Sequence, residues 1–334
     1  MKAWVLAGPT ASGKTALTLR LAPLNAILAG ADSRQVYREG CVGTAVPTAE
    51  ERAGRDWRLI QHMQLSEDYT AARFLREAEA LGAEAEAMGR PLWLVGGTAF
   101  YLRTLEDGIF EAPPTTAAAR QEAESLFATG GCAALIDRLQ SLDPAILHEI
   151  DVRNPARLMR AMEATLSAGL PYSELRRRRR PPGHDIRTFC LFWPRAELHE
   201  RIAERTRRMF EEGFASEALA LAKAGVPPEH LHRLGIGYGE ALALAEGRLE
   251  RERAEELVVF ATRQYAHRQA TWFKRFPRTV HLDARAFLGR PCPDSSAPED
   301  AWFYALPVWD GEGAWPSSSV RLLGATPLPS VAYN

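Results

Sequence analysis

Short apolar runs alternate with longer amphipathic stretches over the first hundred residues of this chain. Three of these runs have the length of buried strands: residues 3–7, 27–32 and 91–95. Residues 69–88 are rich in Ala, Glu and Leu and predict a helix that ends at Gly89. Buried strands that alternate with helices are typical of a parallel sheet with helices on both faces. This part of the chain therefore predicts an α/β fold.

The pattern changes after Pro113-Pro114, where the strand-like runs stop. Residues 115–178 predict helices only, with breaks at Gly130-Gly131 and at Asp143-Pro144. The segment ends in a run of five arginines, Arg176 to Arg180, which is typical of a solvated boundary and to which we assign no role. We interpret this segment as an all-helical insertion into the α/β fold.

Strand and helix patterns resume after the insertion. Residues 188–192 predict a strand, and residues 196–224 and 253–274 predict two long helices. Arg201, Arg205 and Arg208 share one face of the first of these helices. We expect three parts: an α/β core over residues 1–112 and 184–284, the insertion over 113–183 and an irregular tail over 285–334.

Composition and charge limit the class of protein. The 334 residues are 46% hydrophobic and 25% charged with a net charge of −1, as in an ordinary soluble enzyme. The charges are unevenly distributed along the chain despite the small net charge. Residues 257–282, for example, contain Arg and Lys but no carboxylate. The cysteines form no C-x-x-C pair, which argues against a zinc site and a disulfide framework. No apolar run suits a signal sequence or a membrane span, so we expect a cytoplasmic protein.

The strongest local motif is Gly8-Pro9-Thr10-Ala11-Ser12-Gly13-Lys14-Thr15, which lies between the first strand and a helix. It matches the phosphate loop pattern G-x-x-x-x-G-K-[ST] in the required strand–loop–helix context. Backbone N–H groups of such a loop turn toward an anion, and the helix N-terminus adds partial positive charge. Lys14 supplies a cation, and Thr15 a hydroxyl for Mg²⁺. The motif predicts a P-loop NTPase-like core that binds a di- or triphosphate, and it does not decide the reaction.

A carboxylate and a glycine pair are predicted at the same edge of the sheet. Asp32 ends the second strand only 18 residues after Lys14 and is followed by polar residues. It suits either a Mg²⁺ contact through water or a role toward a nucleophile's proton or a base edge, and the residues leave both open. Gly96-Gly97-Thr98 follows the third strand, where it could be a plain turn or could allow close approach of a substrate. Ligands of such sheets bind beyond the carboxyl ends of the strands, so we expect one shared crevice.

The segment 262–275 combines cations, amides and aromatic side chains within one predicted helix. A solvated helix with Tyr265, Trp272 and Phe273 in the core is the simpler interpretation. A solvated face usually mixes charges of both signs, however, and this segment has no carboxylate. Cations with interleaved aromatic residues suit RNA, whose phosphates position the chain and whose unstacked bases stack on rings.

Seven stretches in a fixed order resemble the tRNA dimethylallyltransferase family, the isopentenyl-diphosphate:tRNA transferases. These stretches are residues 8–15, 32–37, 43–45, 95–101, 157–163, 235–240 and 262–273. The resemblance covers about residues 1–284 and leaves the tail without a counterpart. Each stretch alone is a moderate signal, whereas the ordered set is highly specific.

The resemblance implies transfer of a dimethylallyl group from its diphosphate to N6 of the adenosine 3′ of a tRNA anticodon. The phosphate loop (Gly8, Thr10, Ala11, Ser12, Gly13, Lys14 and Thr15) would then hold the diphosphate with Mg²⁺ at Thr15, and Arg201 and Arg205 are candidates for further diphosphate contacts. Catalytic roles fall to Asp32 as proton acceptor and to Thr10 and Thr98 beside the reacting groups. We expect a monomer that turns the target base out of the anticodon stem-loop.

The same resemblance implies a larger set of tRNA contacts. These are Asp32, Ser33, Arg34, Gln35, Thr98, Arg120, Arg157, Arg160, Gly237, Tyr238, His267, Arg268, Gln269, Trp272 and Lys274. Four departures from the family pattern remove basic or histidine residues, at Val46, Gly239, His267 and Trp57-Arg58. We expect them to change tRNA affinity or tRNA choice and to leave the chemistry intact.

Three other functions remain open at this point. The first is transfer of the same group to free AMP or ATP, against which the insertion and the basic helix argue, because a small nucleotide needs neither. The second is an RNA-binding kinase or NTPase that uses ATP on the phosphate loop. The third is a non-catalytic RNA-binding protein, which the presence of Lys14, Thr15, Asp32 and Thr98 makes a poor explanation.

Overall fold

The computed structural model describes residues 1–109, 114–178, 183–276 and 279–285. The chain forms two compact units, one made of Met1–Arg103 with His184–Asn334 and the other of Thr104–Gly183. The sequence prediction sets the same parts apart, with its first boundary at 113. The predicted tail lies outside the described residues except for Arg285.

The larger unit is built on a six-stranded sheet in which every paired strand runs parallel. The strands are β1 (Lys2–Ala7), β2 (Ile27–Gly30), β3 (Asp56–Arg58), β4 (Leu92–Gly96), β5 (Asp185–Phe192) and β6 (Thr279–Asp283). Their order is β3-β2-β4-β1-β5-β6. Successive residues of β1, β2 and β4 are buried, so both faces of the sheet centre are covered. The predicted α/β fold is confirmed.

Thirteen helices are present in the described part of the chain. They are α1 (Lys14–Leu21), α2 (Ala49–Arg52), α3 (Ala71–Ala87), α4 (Ala99–Asp107), α5 (Ala117–Leu142), α6 (Ile146–Glu149), α7 (Pro155–Ala168), α8 (Tyr172–Arg177), α9 (Arg195–Glu211), α10 (Phe214–Lys223), α11 (Pro228–Leu234), α12 (Tyr238–Ala245) and α13 (Arg251–Phe273). The predicted single helix over 196–224 is wrong. Gly213 adopts φ 97° between α9 and α10, a left-handed conformation that ends one helix and caps the next.

Stacked aromatic rings hold the centre of the sheet. The Trp4 ring of β1 lies 5.7 Å from Trp93 of β4 and 5.7 Å from Phe189 of β5, and both pairs are stacked. Such a pair adds about 0.5–1.5 kcal/mol beyond the area that it buries. The strand register also aligns Ala7 with Gly96 and with Cys190. Gly30 of β2 is aligned with Val95 of β4, so the carboxyl ends of β1, β2 and β4, which precede the predicted site residues, lie side by side.

The smaller unit has its own core, formed by buried residues of α5, α6 and α7 such as Leu139, Ile146 and Leu158. The predicted break at Gly131 is a non-helical residue inside α5. At the second predicted break, the buried Asp143 carboxylate accepts hydrogen bonds from the Ser173 hydroxyl at 2.6 Å and the Ser173 N–H at 2.8 Å. The helical prediction for this segment is confirmed.

Candidate active site

The phosphate loop connects β1 to α1 and is shaped by its glycines. A Cβ atom on Gly8 would lie 2.8 Å from Ser12 Oγ and 3.2 Å from the backbone oxygen of Leu191. Gly13 caps α1 at φ 88°, and Ala11 also adopts a positive φ of 61°. Ser12 is fully buried, and its hydroxyl has no hydrogen-bond partner within the described residues. The loop is therefore closely packed against the sheet and keeps an unused donor.

The Lys14 ammonium group closes this loop from within. Its Nζ donates to the backbone oxygens of Gly8 at 3.0 Å and Pro9 at 2.9 Å. Burial lowers the pKa of Lys14 from 10.5 to about 8, and the nearby Asp32 carboxylate opposes this shift. A diphosphate beside Nζ would stabilise the protonated form and raise the pKa again. Binding of an anionic ligand therefore favours the charged form of Lys14.

The ends of β2 and β4 meet beside Lys14. The Ser33 N–H donates to Thr98 Oγ1 at 2.9 Å, and the Thr98 N–H donates to the Ala31 oxygen at 3.2 Å. The Asp32 carboxylate accepts from the Arg34 N–H at 2.9 Å and interacts electrostatically with Lys14. The predicted catalytic pair of Asp32 and Thr98 is therefore brought together at the edge of the phosphate loop.

Gly96 and Gly97 make this meeting of strand ends possible. A Cβ atom on Gly96 would lie 2.0 Å from the Ala31 oxygen, which no side chain allows. A Cβ atom on Gly97 would lie 2.6 Å from Nε2 of Gln269 and 3.2 Å from the Gly8 oxygen. The glycine pair is therefore required by close backbone approach and is more than a plain turn.

Two arginines of α9 reach the phosphate loop. Arg201 Nε donates to the Ala11 oxygen at 2.9 Å, and its guanidinium lies 4.3 Å from the Trp193 ring centroid. Arg205 Nη1 donates to Thr10 Oγ1 at 3.1 Å. Burial lowers the pKa of Arg205, which the Asp32 carboxylate opposes. These guanidiniums and Lys14 place positive charge at the loop, and their contact with a diphosphate stays a prediction.

Helix α13 presents an exposed face that fits part of the predicted tRNA set. The side chains of His267, Arg268, Trp272 and Lys274 are exposed, and Trp272 keeps 45% of its surface accessible. Phe273 is fully buried instead. The simpler interpretation is therefore wrong for Trp272 and confirmed for Phe273. An exposed indole among cations is available for stacking with a base.

Three other residues of the predicted tRNA set lie inside the protein. Tyr238 is fully buried and donates its hydroxyl to Glu217 at 2.6 Å. Gly237 caps α12 at φ 98°, where a Cβ atom would lie 2.9 Å from a Val258 methyl group. Gln269 is only 5% exposed. All three positions are buried in this structure, and their direct contact with tRNA stays a prediction.

Sequence reasoning missed Glu217 of α10. Its carboxylate accepts hydrogen bonds from the N–H groups of Cys41 at 3.2 Å, Val42 at 2.7 Å and Gly43 at 3.1 Å. The adjoining residues Thr44 and Ala45 accept from the Gln35 side chain at 3.2 and 2.8 Å. A single glutamate in an amphipathic helix gives no local signal of such a clamp. Glu217 thereby fixes the loop against which Gln35 is oriented.

The smaller unit carries the remaining predicted tRNA contacts. Arg120 of α5 and Arg157 and Arg160 of α7 are all exposed. Arg160 also donates to the Thr115 hydroxyl at 3.0 Å. These guanidiniums are available to phosphate groups.

Two of the departures from the family pattern have structural uses here. Val46 is buried, which suits an apolar side chain and not a lysine. Arg58 of β3 is paired with Asp56 at 2.5 Å and Glu84 at 3.2 Å. A third departure, Gly239, lies where a Cβ atom would be 3.1 Å from the His232 ring. The effect of these positions on tRNA affinity stays a prediction.

The residues at the loop fit a Mg²⁺ ion that is held mainly by its ligand. Within residues 1–109, 114–178, 183–276 and 279–285, no group of three or more His, Cys, Asp or Glu side chains could hold a metal. Thr15 lies next to Lys14 in the first turn of α1, where its hydroxyl would be the protein ligand of the ion that the sequence analysis predicts. Mg²⁺ commonly keeps few protein ligands and binds through phosphate oxygens and water.

Comparison with known proteins agrees with this arrangement. The IPP transferase family model matches residues 35–276. A tRNA dimethylallyltransferase from Myxococcus xanthus is 39% identical over 281 residues, which cover 83% of this chain and 91% of the relative. Another from Deinococcus radiodurans is 38% identical over 298 residues, which cover 86% and 96%.

Solved structures agree as well. The tRNA isopentenylpyrophosphate transferase of Bacillus halodurans matches with a TM-score of 0.60 at 32% identity, over 85% of this chain and 90% of that one. A eukaryotic dimethylallyltransferase acting on tRNA has a TM-score of 0.73 at 24% identity over 89% of this chain and 82% of its own, which shows the fold alone. No helix in the described part of the chain is long and apolar enough to cross a membrane. From the family match and these relatives, the chain belongs to the IPP transferase family.

Proposed function

We propose that this protein transfers a dimethylallyl group from dimethylallyl diphosphate to N6 of the adenosine 3′ of the anticodon in tRNA. The observation that carries the proposal is that the phosphate loop and the pair of Asp32 and Thr98 meet at one edge of the sheet. The phosphate loop is surrounded by Lys14, Arg201 and Arg205, and Asp32 and Thr98 lie directly beside it. Relatives at about 40% identity carry the name tRNA dimethylallyltransferase.

The charges at the loop suit a diphosphate leaving group. In the reaction, adenine N6 forms a bond to the allylic carbon while the bond from that carbon to the diphosphate oxygen breaks. The electron pair of the broken bond leaves with pyrophosphate, whose growing negative charge Lys14, Arg201 and Arg205 stabilise. Mg²⁺ held with the diphosphate at Thr15 would supply further charge neutralisation.

Asp32 is the group that takes up the proton of the amine. The exocyclic amine of adenine becomes acidic only as its new bond to carbon forms, and a carboxylate positioned beside it then accepts the proton. Thr98, which accepts from the Ser33 N–H, holds the end of β2 and with it Asp32. Thr10, in the phosphate loop, is held by a hydrogen bond from Arg205. The two reacting partners are thereby held close to each other.

The acceptor is best explained as tRNA. The exposed cations and the Trp272 indole of α13 suit phosphates and an unstacked base, and the helical unit adds exposed arginines. An adenosine inside an anticodon loop must be turned out of its stack before N6 reaches Asp32. Free AMP would need none of these surfaces.

The test is incubation of the protein with bulk tRNA, dimethylallyl diphosphate and Mg²⁺, followed by nucleoside mass spectrometry. We expect adenosine that carries one dimethylallyl group at N6. Parallel reactions contain AMP or ATP in place of tRNA, and ATP without a prenyl donor. Product from AMP alone, or hydrolysis of ATP without any prenylated adenosine, would overturn the proposal in favour of the corresponding alternative.

A further inference from the structure

Gln269 lies on the inner side of α13 and joins two loops of the site. Its Oε1 accepts from the Thr10 N–H at 2.9 Å, and its Nε2 donates to the Gly97 oxygen at 2.7 Å. The Tyr265 side chain lies one turn earlier on the helix, beside the same amide. Because Thr10 offers a donor and Gly97 an acceptor, only one orientation of the amide satisfies both loops.

These bonds connect the two halves of the site. Thr10 belongs to the phosphate loop, and Gly97 precedes Thr98, which holds the end of β2 beside Asp32. A Cβ atom on Gly97 would lie 3.2 Å from the Gly8 oxygen and 3.6 Å from Lys14 Nζ, so the two loops already touch closely there. The Gln269 amide is thus a buried spacer between the diphosphate side and the acceptor side.

Thr10 is held from two helices at once. Its N–H is bonded to Gln269 of α13, and its hydroxyl accepts from Arg205 of α9. A phosphate loop binds anions through the direction of its backbone N–H groups, so a fixed Thr10 peptide sets the direction of its neighbours. An error of about 1 Å in the placement of reacting groups costs roughly a hundredfold in rate.

We propose that Gln269 is a positioning residue, which fixes the phosphate loop relative to the Gly97-Thr98 turn and does not contact tRNA. The proposal deepens the function proposed above and rests on it. The two faces of α13 then have different roles, because the exposed face meets the RNA and the buried Gln269 amide shapes the diphosphate site. Loss of the amide should therefore weaken pyrophosphate binding and turnover and leave tRNA affinity unchanged.

The first experiment uses inorganic pyrophosphate with Mg²⁺ and the full chain, measured by calorimetry. In Gln269→Met the side chain keeps its length and loses both hydrogen bonds, so we expect the Kd for pyrophosphate to rise roughly tenfold. Gln264→Met is the matched control, because Gln264 lies on the same helix with an exposed side chain. We expect it to keep the pyrophosphate Kd of the wild type. Pyrophosphate affinity that is equal in Gln269→Met and wild type would overturn the proposal.

The second experiment separates positioning from tRNA contact. In Gln269→Met we expect kcat to fall roughly ten- to a hundredfold, while the Kd for an anticodon stem-loop stays within about twofold of wild type, the size of an unaffected surface contact. A raised stem-loop Kd with normal kcat would show that Gln269 contacts RNA and would overturn the proposal. Wild-type protein that makes no prenylated adenosine would refute the proposed function, and the pyrophosphate measurement would still decide on Gln269.

Gln269→Glu covers the case in which the methionine variant does not fold. A carboxylate still accepts from the Thr10 N–H but cannot donate to the Gly97 oxygen, so only the second bond is lost. We expect this variant also to bind pyrophosphate more weakly, because the two loops are no longer joined and a negative charge is added. Wild-type affinity in this variant would contradict a spacer role.

Discussion

Arg205 Nη1 donates a hydrogen bond to Thr10 Oγ1 at 3.1 Å, although the two residues are 195 positions apart in the chain. This contact joins α9, which follows the helical insertion, to the phosphate loop, which precedes it. The loop therefore receives positive charge from both sides of the insertion in sequence, because Lys14 precedes the insertion and Arg205 follows it. The predictions below test the roles of this loop and of the surfaces around it.

Replacement of Asp32 tests the proton acceptor. In Asp32→Asn we expect kcat to fall by roughly 10²–10⁴, the usual size of a general-base contribution, with the Kd for tRNA largely kept. Single-turnover kinetics with saturating tRNA measure the chemical step. A higher Mg²⁺ concentration should not restore the rate, because Asp32→Asn removes a base rather than a metal ligand. Rescue by Mg²⁺ would favour the metal-ligand interpretation, and near-normal turnover would remove Asp32 from the chemistry.

Replacement of Arg205 tests the diphosphate site. Arg205→Ala removes a guanidinium that reaches Thr10, and we expect the KM for dimethylallyl diphosphate to rise roughly ten- to a hundredfold, as for loss of a charged hydrogen bond. Arg208→Ala is the control, since Arg208 lies on the same helix, is exposed and is paired with Glu212 at 3.8 Å. Equal KM values for the two variants would contradict the role given to Arg205.

Lys14 should make diphosphate binding depend on pH. Its pKa in the free protein is about 8, below the ordinary 10.5, because burial disfavours the charge. Above pH 8 the free protein therefore loses this cation, and a bound diphosphate must bring the proton back. Calorimetry at pH near 9 in buffers of different ionisation enthalpy should show extra proton uptake in wild type. Lys14→Arg stays charged throughout and should lack it; the same uptake in both proteins would be evidence against the lowered pKa.

Trp272 should contribute to RNA binding by stacking. In Trp272→Ala we expect the Kd for an anticodon stem-loop to rise roughly five- to a hundredfold, the range for loss of one base–aromatic stack. Phe260→Ala is the control, since Phe260 is 64% exposed on the same helix but lies outside the segment 262–275 that combines cations and aromatic side chains. Wild-type affinity should also weaken steeply with salt, because phosphate contacts release counterions. A flat salt titration, or equal effects at both rings, would argue against the assigned face of α13.

Replacement of Gly96 tests the close approach of the ends of β2 and β4. A Cβ atom there would lie 2.0 Å from the Ala31 oxygen, so Gly96→Ala must move one of the two strands. We expect the free energy of unfolding to fall by about 1–3 kcal/mol or more, as for other overpacked sites, in urea denaturation. Gly183→Ala is the control, because a Cβ atom at Gly183 meets no atom of the described residues within 4 Å. Wild-type stability in Gly96→Ala would show that the strand ends are farther apart than described.

Several features followed from local sequence because their causes are local. Gly8 and Gly13 mark the phosphate loop, because a Cβ atom on Gly8 would meet Ser12 and Leu191 closely and Gly13 adopts a positive φ. The central strands β1 (after Lys2) and β4 are continuous apolar runs because both of their faces are covered, and such a run is visible directly in the sequence. The helical insertion was predictable for the same reason, since its helices carry their own periodic core.

Other features depend on partners far away in the chain. Edge strands β3 and β6 were missed because they are short and partly polar, and pairing with β2 and β5 makes them strands. The clamp by Glu217 joins residues about 175 positions apart, and no local pattern marks it. Gln269 and Trp272 belong to one basic segment, and only packing decides which is buried and which is exposed.

The sequence by itself determined the phosphate loop, the α/β fold and the presence of Asp32 and Thr98 at strand ends, because short-range backbone preferences and apolar periodicity specify them. The tertiary structure alone decided how these parts meet. It placed Arg205 on Thr10, Gln269 between Thr10 and Gly97, and Tyr238 on Glu217. Such contacts arise when helices dock on the sheet, and the free energy of docking depends on side chains that no single segment contains.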